Sequence, residues 1–240
     1  EEVELVYKNI NDIAPNELYI ATTIDNKQTQ AFLDETKKQL DLHSINTQLD
    51  NLGKAGEKAK DLNEIEKRIA IFTSKTLDER LKEIDDAWKK YYPKHFAERE
   101  FFEDLMSFYR YKATEGWKRT LEIAKNFKAV DFYKGKSIGN QILAETAISM
   151  KTTKVKDVRQ WLNSADIKKN IAFLKDGLNK LKGIDSNKHK MFINSAEIHI
   201  YMPKENITDD LLKTWEKELS KKTGETGIKF EIRTLEDFVK

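Results

Sequence analysis

The sequence predicts an α/β protein, with an N-terminal helical domain followed by a mixed sheet flanked by helices. Two observations predict it. Apolar residues recur at helical spacing through the first part of the chain, and beyond Lys125 short alternating segments are interleaved with two amphipathic runs.

Taken in order, Leu42, Ile45, Leu49, Leu52, Ala59, Leu62, Ile65, Ile69 and Phe72 lie three or four residues apart for most of their length, the spacing of one helix face. Gly53 and Gly56 weaken the middle of that run. Leu77, Leu81, Ile84 and Trp88 continue it after a break at Thr73-Ser74-Lys75, and Tyr91-Tyr92-Pro93 reads as a hinge. The predicted division is therefore residues 1–93, helical, and 94–240, α/β. Phe96 to about Tyr111 is a further helix, and Trp117, Leu121 and Ala124 predict another. Strands are predicted at 129–133, 144–153, 191–202 and 228–233. Between them, Ile167, Ile171, Leu174, Leu178 and Leu181 form a helix closed by Gly183. Leu211, Leu212, Trp215 and Leu219 form one closed near Gly224.

The charge is distributed unevenly. The chain as a whole carries +2, but residues 1–93 carry −5 and residues 94–240 carry +7; residues 125–190 alone hold 15 basic against 6 acidic side chains. Such asymmetry is the footprint of a polyanion partner held by one domain. The chain has no cysteine, which excludes disulfides, thiolate metal sites and thiol nucleophiles. No segment reaches the roughly 18 apolar residues of a membrane span, so no stable membrane insertion is expected. The start, Glu1-Glu2-Val3, reads as part of something longer.

The segment Ala144 to Thr153 carries the chemistry. As a strand it places Glu145, Ala147, Ser149, Lys151 and Thr153 on one face. The preceding strand ends Ala129-Val130-Asp131-Phe132-Tyr133, a carboxylate among apolar residues that either lies at a frayed strand end, pairs with a lysine or is compensated by a metal. Carboxylates and a lysine on adjacent strands suit phosphodiester hydrolysis. The acids hold a divalent ion that polarises the phosphoryl oxygen and acidifies water, while the lysine orients that water or stabilises developing charge.

At these residues the sequence resembles the restriction-endonuclease-like superfamily, in which an acid on one strand is followed about twenty residues later by acid-any-lysine on the next. Asp131 takes the place of the first acid and Lys151 that of the lysine, with Ser149 where the second acid commonly stands. Ala147-Ile148-Ser149-Met150-Lys151-Thr152 is similar to a serine-containing variant found in C-terminal toxin domains of bacterial contact-dependent growth inhibition proteins. That resemblance implies a metal-dependent nuclease acting on DNA or tRNA with Mg²⁺ or Zn²⁺. It also implies a further glutamate from an upstream helix: Glu103, with Glu100 and Glu115 as competitors. Glu145 is the alternative for the missing acid. Ser149 would shape the site or touch phosphate. Lys154, Lys156, Lys168 and Lys169 would contact the nucleic-acid backbone. The resemblance further implies surface delivery as part of a larger protein, with the acidic N-terminal half as a cell-entry segment. Action would be in the target-cell cytoplasm, and an acidic cognate immunity protein would cover the basic face.

Other motifs are weaker. Gly135-Lys136-Ser137 has the tail of a phosphate-binding loop, but Val130 stands where its first glycine is required. His43, His95, His189 and His199 show no paired metal spacing, and alternation puts His199 on an exposed strand face with Glu197 and Tyr201. The competing reading is a non-catalytic module that binds nucleic acid or an acidic protein, which has no use for a buried Asp131.

Overall fold

A computed structural model describes residues 64–91, 96–124, 127–186 and 188–240. The earlier part of the predicted first helix, with Leu42 through Leu62 and both its glycines, lies outside the described residues, as do His43, Tyr92, Pro93 and His95. All described residues belong to one compact unit, Lys58–Lys240, which crosses the division read near residue 93.

The described part of α1 covers residues 64–73. Helix α2, Leu77–Lys90, starts at a capping box in which the Thr76 hydroxyl accepts from the Glu79 N–H and the Glu79 carboxylate accepts from the Thr76 N–H. Its apolar stripe buries Ile84 and Trp88. Helix α3 is Phe96–Tyr109. The three helices share a core of Ile69, Phe72, Trp88, Phe102, Leu105 and Met106, which packs against Phe132, Ile148, Met150 and Tyr201 of the sheet and against Leu235 and Val239 near the C-terminus.

The sheet comprises β1 Lys118–Arg119, β2 Phe132–Ile138, β3 Gln141–Thr152, β4 Ile184–Ser186, β5 His189–Tyr201 and β6 Lys229–Arg233. Its order is β1-β2-β3-β5-β4, with β6 also pairing β5. Strands β2 and β3 form an antiparallel hairpin, while β3 runs parallel to β5 and β5 parallel to β6. The crossovers that parallel pairing requires are α4 Val158–Asn163 with α5 Ala165–Leu178, and α6 Asp209–Thr226. They cover the second face of the sheet, with Trp161, Ile171, Leu174 and Trp215 packed on Ala147, Ile198 and Ile200. N-terminal helices followed by a mixed sheet with flanking helices is therefore the observed architecture.

Several boundaries differ from the sequence expectation. The predicted strand 129–133 begins only at Phe132, because Ala129 turns the chain with φ 61°, and it continues to Ile138. Its polar residues sit on an exposed rim where alternation carries no signal. A bulge at Glu145 shifts the β2–β3 register, so that Lys134 faces Thr146 while Gly135 faces Ala144. Gly135 is required there, since a Cβ would lie 2.1 Å from the Leu143 carbonyl oxygen. The helix predicted around Trp117, Leu121 and Ala124 is instead the short strand β1 followed by one 3₁₀ turn, Thr120–Glu122, because Gly116 turns with φ 85° and Thr120 is pulled into pairing with Asp131. Leu181 lies beyond the end of α5 and is 92% exposed, and α6 ends at Gly227 rather than near Gly224.

Candidate active site

Asp131 sits just ahead of β2, in a turn held by Thr120. The Thr120 N–H donates to the Asp131 carbonyl at 3.0 Å and its hydroxyl to the Val130 carbonyl at 2.6 Å. The Asp131 N–H donates to the Ile148 carbonyl at 2.9 Å, which locks the turn to β3. Its carboxylate then reaches along β3: Oδ2 accepts from the Met150 N–H at 2.7 Å and lies 3.7 Å from Lys151 Nζ. Lys151 Nζ also donates to the Met150 carbonyl at 3.0 Å. Both side chains are about a fifth to a quarter exposed, so the pair is sheltered yet reachable from solvent.

Glu103 joins them from α3. Burial, reinforced by the Asp131 carboxylate, pushes its carboxyl up to about 7, with Arg119, Lys151 and Arg99 pulling the other way. Among the three glutamates the sequence left in competition, Glu103 is the one whose charge interacts with both Asp131 and Lys151. Glu100 also lines the adjoining cavity, whereas Glu115 stands exposed in a 3₁₀ turn.

Two recesses meet at this constellation. One, of about 450 Å³, is walled by Asp131, Arg68, Arg119, Leu121 and Phe127 together with Arg99, Glu103 and Lys151. The other, of about 830 Å³, shares Arg99, Glu103 and Lys151 and continues past Thr152, Thr153 and Lys154 towards Trp161 and Asp166. Behind Glu103, the buried Asp104 carboxylate is clamped by Arg119 at 2.8 Å and Arg68 at 3.0 Å, tying α3 to β1 and α1. Burial raises the Asp104 carboxyl, against the pull of both guanidiniums.

The structure does not bring every predicted residue here. Glu145 is exposed on the β3 bulge, six residues from Lys151 and so about 20 Å along an extended strand, and it lines neither recess. Ser149 is fully buried, and its hydroxyl has no hydrogen-bond partner among the described residues; it too lies outside both walls. Lys154 lines the larger recess and donates to the Tyr91 carbonyl at 3.2 Å. Lys156 is exposed in the loop before α4. Lys168 lines a different groove, between α5 and α6, while Lys169 is exposed on α5 beside Phe173.

The expectation for His199 is corrected. It is 4% exposed, because the face that alternation made polar is covered by the chain following α3. Nδ1 is 2.6 Å from the Tyr111 hydroxyl and Nε2 2.9 Å from Glu197, and burial lowers its pKa. The same network holds Arg110, which bonds Tyr201 and Glu231.

Sequence reasoning missed Arg99 and Arg119. Arg99 had a readable signal, standing one helical turn before Glu103 on α3. Arg119 lies in a two-residue strand and had none. Comparison of the chain with family models, with curated proteins and with solved structures finds no match in any of the three.

The donor set bears on which metal would suit the site. No group of three or more His, Asp or Glu side chains poised around a common point exists among the described residues. Asp131 and Glu103 supply two carboxylates, a number with which Mg²⁺ is commonly held, water and substrate phosphate completing its shell. Zn²⁺ usually takes three or four protein ligands, with imidazole or thiolate among them. The residues present therefore fit Mg²⁺ better.

Proposed function

We propose that the protein is a metal-dependent nuclease with a restriction-endonuclease-like fold, hydrolysing phosphodiester bonds of DNA or tRNA. The observation that carries this reading is the convergence of Asp131, Glu103 and Lys151, from three different elements, at the junction of two open recesses. Such a junction lets a strand enter on one side and leave on the other with its scissile phosphate between them.

Asp131 and Glu103 would hold a divalent ion, which supplies polarisation of the phosphoryl oxygen and a more acidic water. Burial, with the Asp131 carboxylate beside it, raises Glu103 to about 7, so a cation held there would take the place of a proton. The Met150 N–H holds Asp131 Oδ2 in one orientation, which leaves the other carboxylate oxygen for a ligand. Lys151 Nζ, fixed by Asp131 and the Met150 carbonyl, places a positive charge beside the position of the attacking water and of the phosphoryl charge that develops. Arg99 lines both recesses and supplies a second cation for the phosphate on its passage between them. Ser149, buried behind the strand, shapes the site rather than touching substrate.

The proposal extends, on the sequence resemblance, to a toxin delivered into a target bacterial cytoplasm as part of a larger surface protein and neutralised in the producing cell by an immunity protein. A second reading has its own observation. Asp131 Oδ2 is already engaged by the Met150 N–H and by Lys151, contacts that a module that only binds would also keep.

Incubation of DNA and tRNA with the protein and Mg²⁺, Mn²⁺ or Zn²⁺ separates the two. Cleavage that falls about 10²- to 10³-fold in folded Asp131→Ala and Lys151→Ala proteins supports the nuclease. Equal activity in all three ends the site assignment, and no cleavage of any substrate favours the binding module.

A further inference from the structure

We propose that the groove between α5 and α6 is a second nucleic-acid contact, which holds the substrate backbone away from the cleavage centre and contributes affinity without taking part in the chemistry. The inference rests on the nuclease reading for the identity of its ligand and on a different surface for its evidence. The groove has a volume of about 590 Å³ and contains five cations against two carboxylates, a net charge of +3. Both carboxylates are already engaged: Glu218 accepts from Arg159 at 2.9 Å, and Glu225 from Lys222 at 2.9 Å. Lys168, Lys175 and Lys221 make no ion pair with any described residue; Lys221 lies near enough to Glu218 and Glu225 to help lower both, yet the groove keeps an uncancelled charge of +3 for a ligand.

Their placement suits a strand of phosphates. Lys168 and Lys175 are two turns apart on α5, an advance of about 10.5 Å, and Lys221 faces them from α6. That advance matches about three phosphate-to-phosphate steps along one strand, at about 3.4 Å each. An acidic protein partner fits less well, because stable protein contacts need apolar anchors. None of the exposed large apolar side chains among the described residues lies in this groove.

Helix α5 also connects the groove to the cleavage centre. Asp166, Ile167 and Asn170 face the larger recess beside Lys151, while Lys168, Ile171 and Lys175 face the second groove. Ile167, Ile171 and Leu174 anchor the helix to the sheet, and exposed Lys169 stands on the outward side between the two grooves. A backbone leaving Lys151 therefore crosses α5 over Lys169 and enters the groove. Lys168 belongs to this remote contact, not to the cleavage centre.

The test compares the full chain with a Lys168→Gln/Lys175→Gln/Lys221→Gln protein, measuring binding to tRNA and duplex DNA across a salt series, and cleavage of these and of a trinucleotide. The expected result is a plot of log affinity against log salt whose slope is shallower by about 2 to 3, with KM raised and kcat unchanged on the long substrates. Trinucleotide cleavage stays equal in both proteins. Unaltered binding and KM on the long substrates, with cleavage intact, overturn the groove and leave the nuclease reading standing. Binding lost in the triple variant while no protein cleaves keeps the groove as a nucleic-acid contact and removes the nuclease reading. If polyglutamate competes with tRNA as strongly as unlabelled tRNA does, nucleic acid is overturned as the occupant.

Discussion

Replacing Asp104 with alanine tests whether the ion cluster behind Glu103 is structural support for the site. Asp104 is 2% exposed and bonds two guanidiniums, Arg119 at 2.8 Å and Arg68 at 3.0 Å. The two partners differ: the Arg119 side chain is 11% exposed and Arg68 42%. Losing the carboxylate leaves Arg119 charged and largely desolvated, a change that typically costs about 3 to 5 kcal/mol. Arg68 turns to water at a cost of about 0 to 1 kcal/mol. The expected destabilisation of Asp104→Ala is thus about 4 kcal/mol, nearly all of it through Arg119. With a urea m-value of about 2 kcal/mol/M, the denaturation midpoint falls by about 2 M. Arg68→Ala should move it by less than about 0.5 M. An Asp104→Ala midpoint within about 0.5 M of the parent, or an Arg68→Ala loss as large as that of Asp104→Ala, refutes the assignment of the cost to a desolvated Arg119.

Further outcomes follow from other sites. Burial lowers the His199 pKa below its usual 6.5, so the unfolded chain binds more protons in mildly acid solution. Stability relative to a folded His199→Gln protein therefore declines as pH falls below 6.5, read from urea midpoints. Glu103, raised to about 7 from 4.5, acts in the opposite sense, and its protonated form contributes stability that is lost as pH rises from 4.5 through 7. In chelator, the parent should lose stability over that window relative to Glu103→Gln. Gly135→Ala, whose Cβ would meet the Leu143 carbonyl oxygen, should lower stability by about 3 kcal/mol in a thermal melt. Gly224→Ala, with open space around it inside α6, should raise stability by about 0.5 to 1 kcal/mol. Added Mg²⁺ should raise the Tm of the parent and leave that of Asp131→Asn unmoved.

How much of this was legible depends on whether the deciding contact was local. Lys151 and the long strand that carries it were readable, because alternation over Ala144 to Thr152 survives in β3 apart from the Glu145 bulge. Local pattern singled out Asp131 but not its surroundings. It lies in a turn organised by Thr120, eleven residues away, and no periodicity reports such a turn. Glu103 could be singled out only by resemblance, since α3 also carries Glu98, Glu100 and Asp104, and tertiary packing alone decides which of them meets Asp131. Alternation put His199 on the correct side of β5 but could not show that Tyr111 would cover that side. Charge counting located the basic half of the chain, yet it could not separate Lys154, which shares a recess with Lys151, from Lys168 in another groove.

The parallel pairing of β3 with β5 also bears on synthesis of the protein. Glu103, Asp131 and Lys151 have all been synthesised once β3 is complete, yet the strand that closes the far edge of β3 ends only at Tyr201. At about 5 to 20 residues per second, that edge stays unpaired for roughly 2 to 10 s of translation. For that interval the nascent chain presents the apolar run Ala147-Ile148-Ser149-Met150 without its neighbour, the interval in which a chaperone or another nascent chain can pair with it.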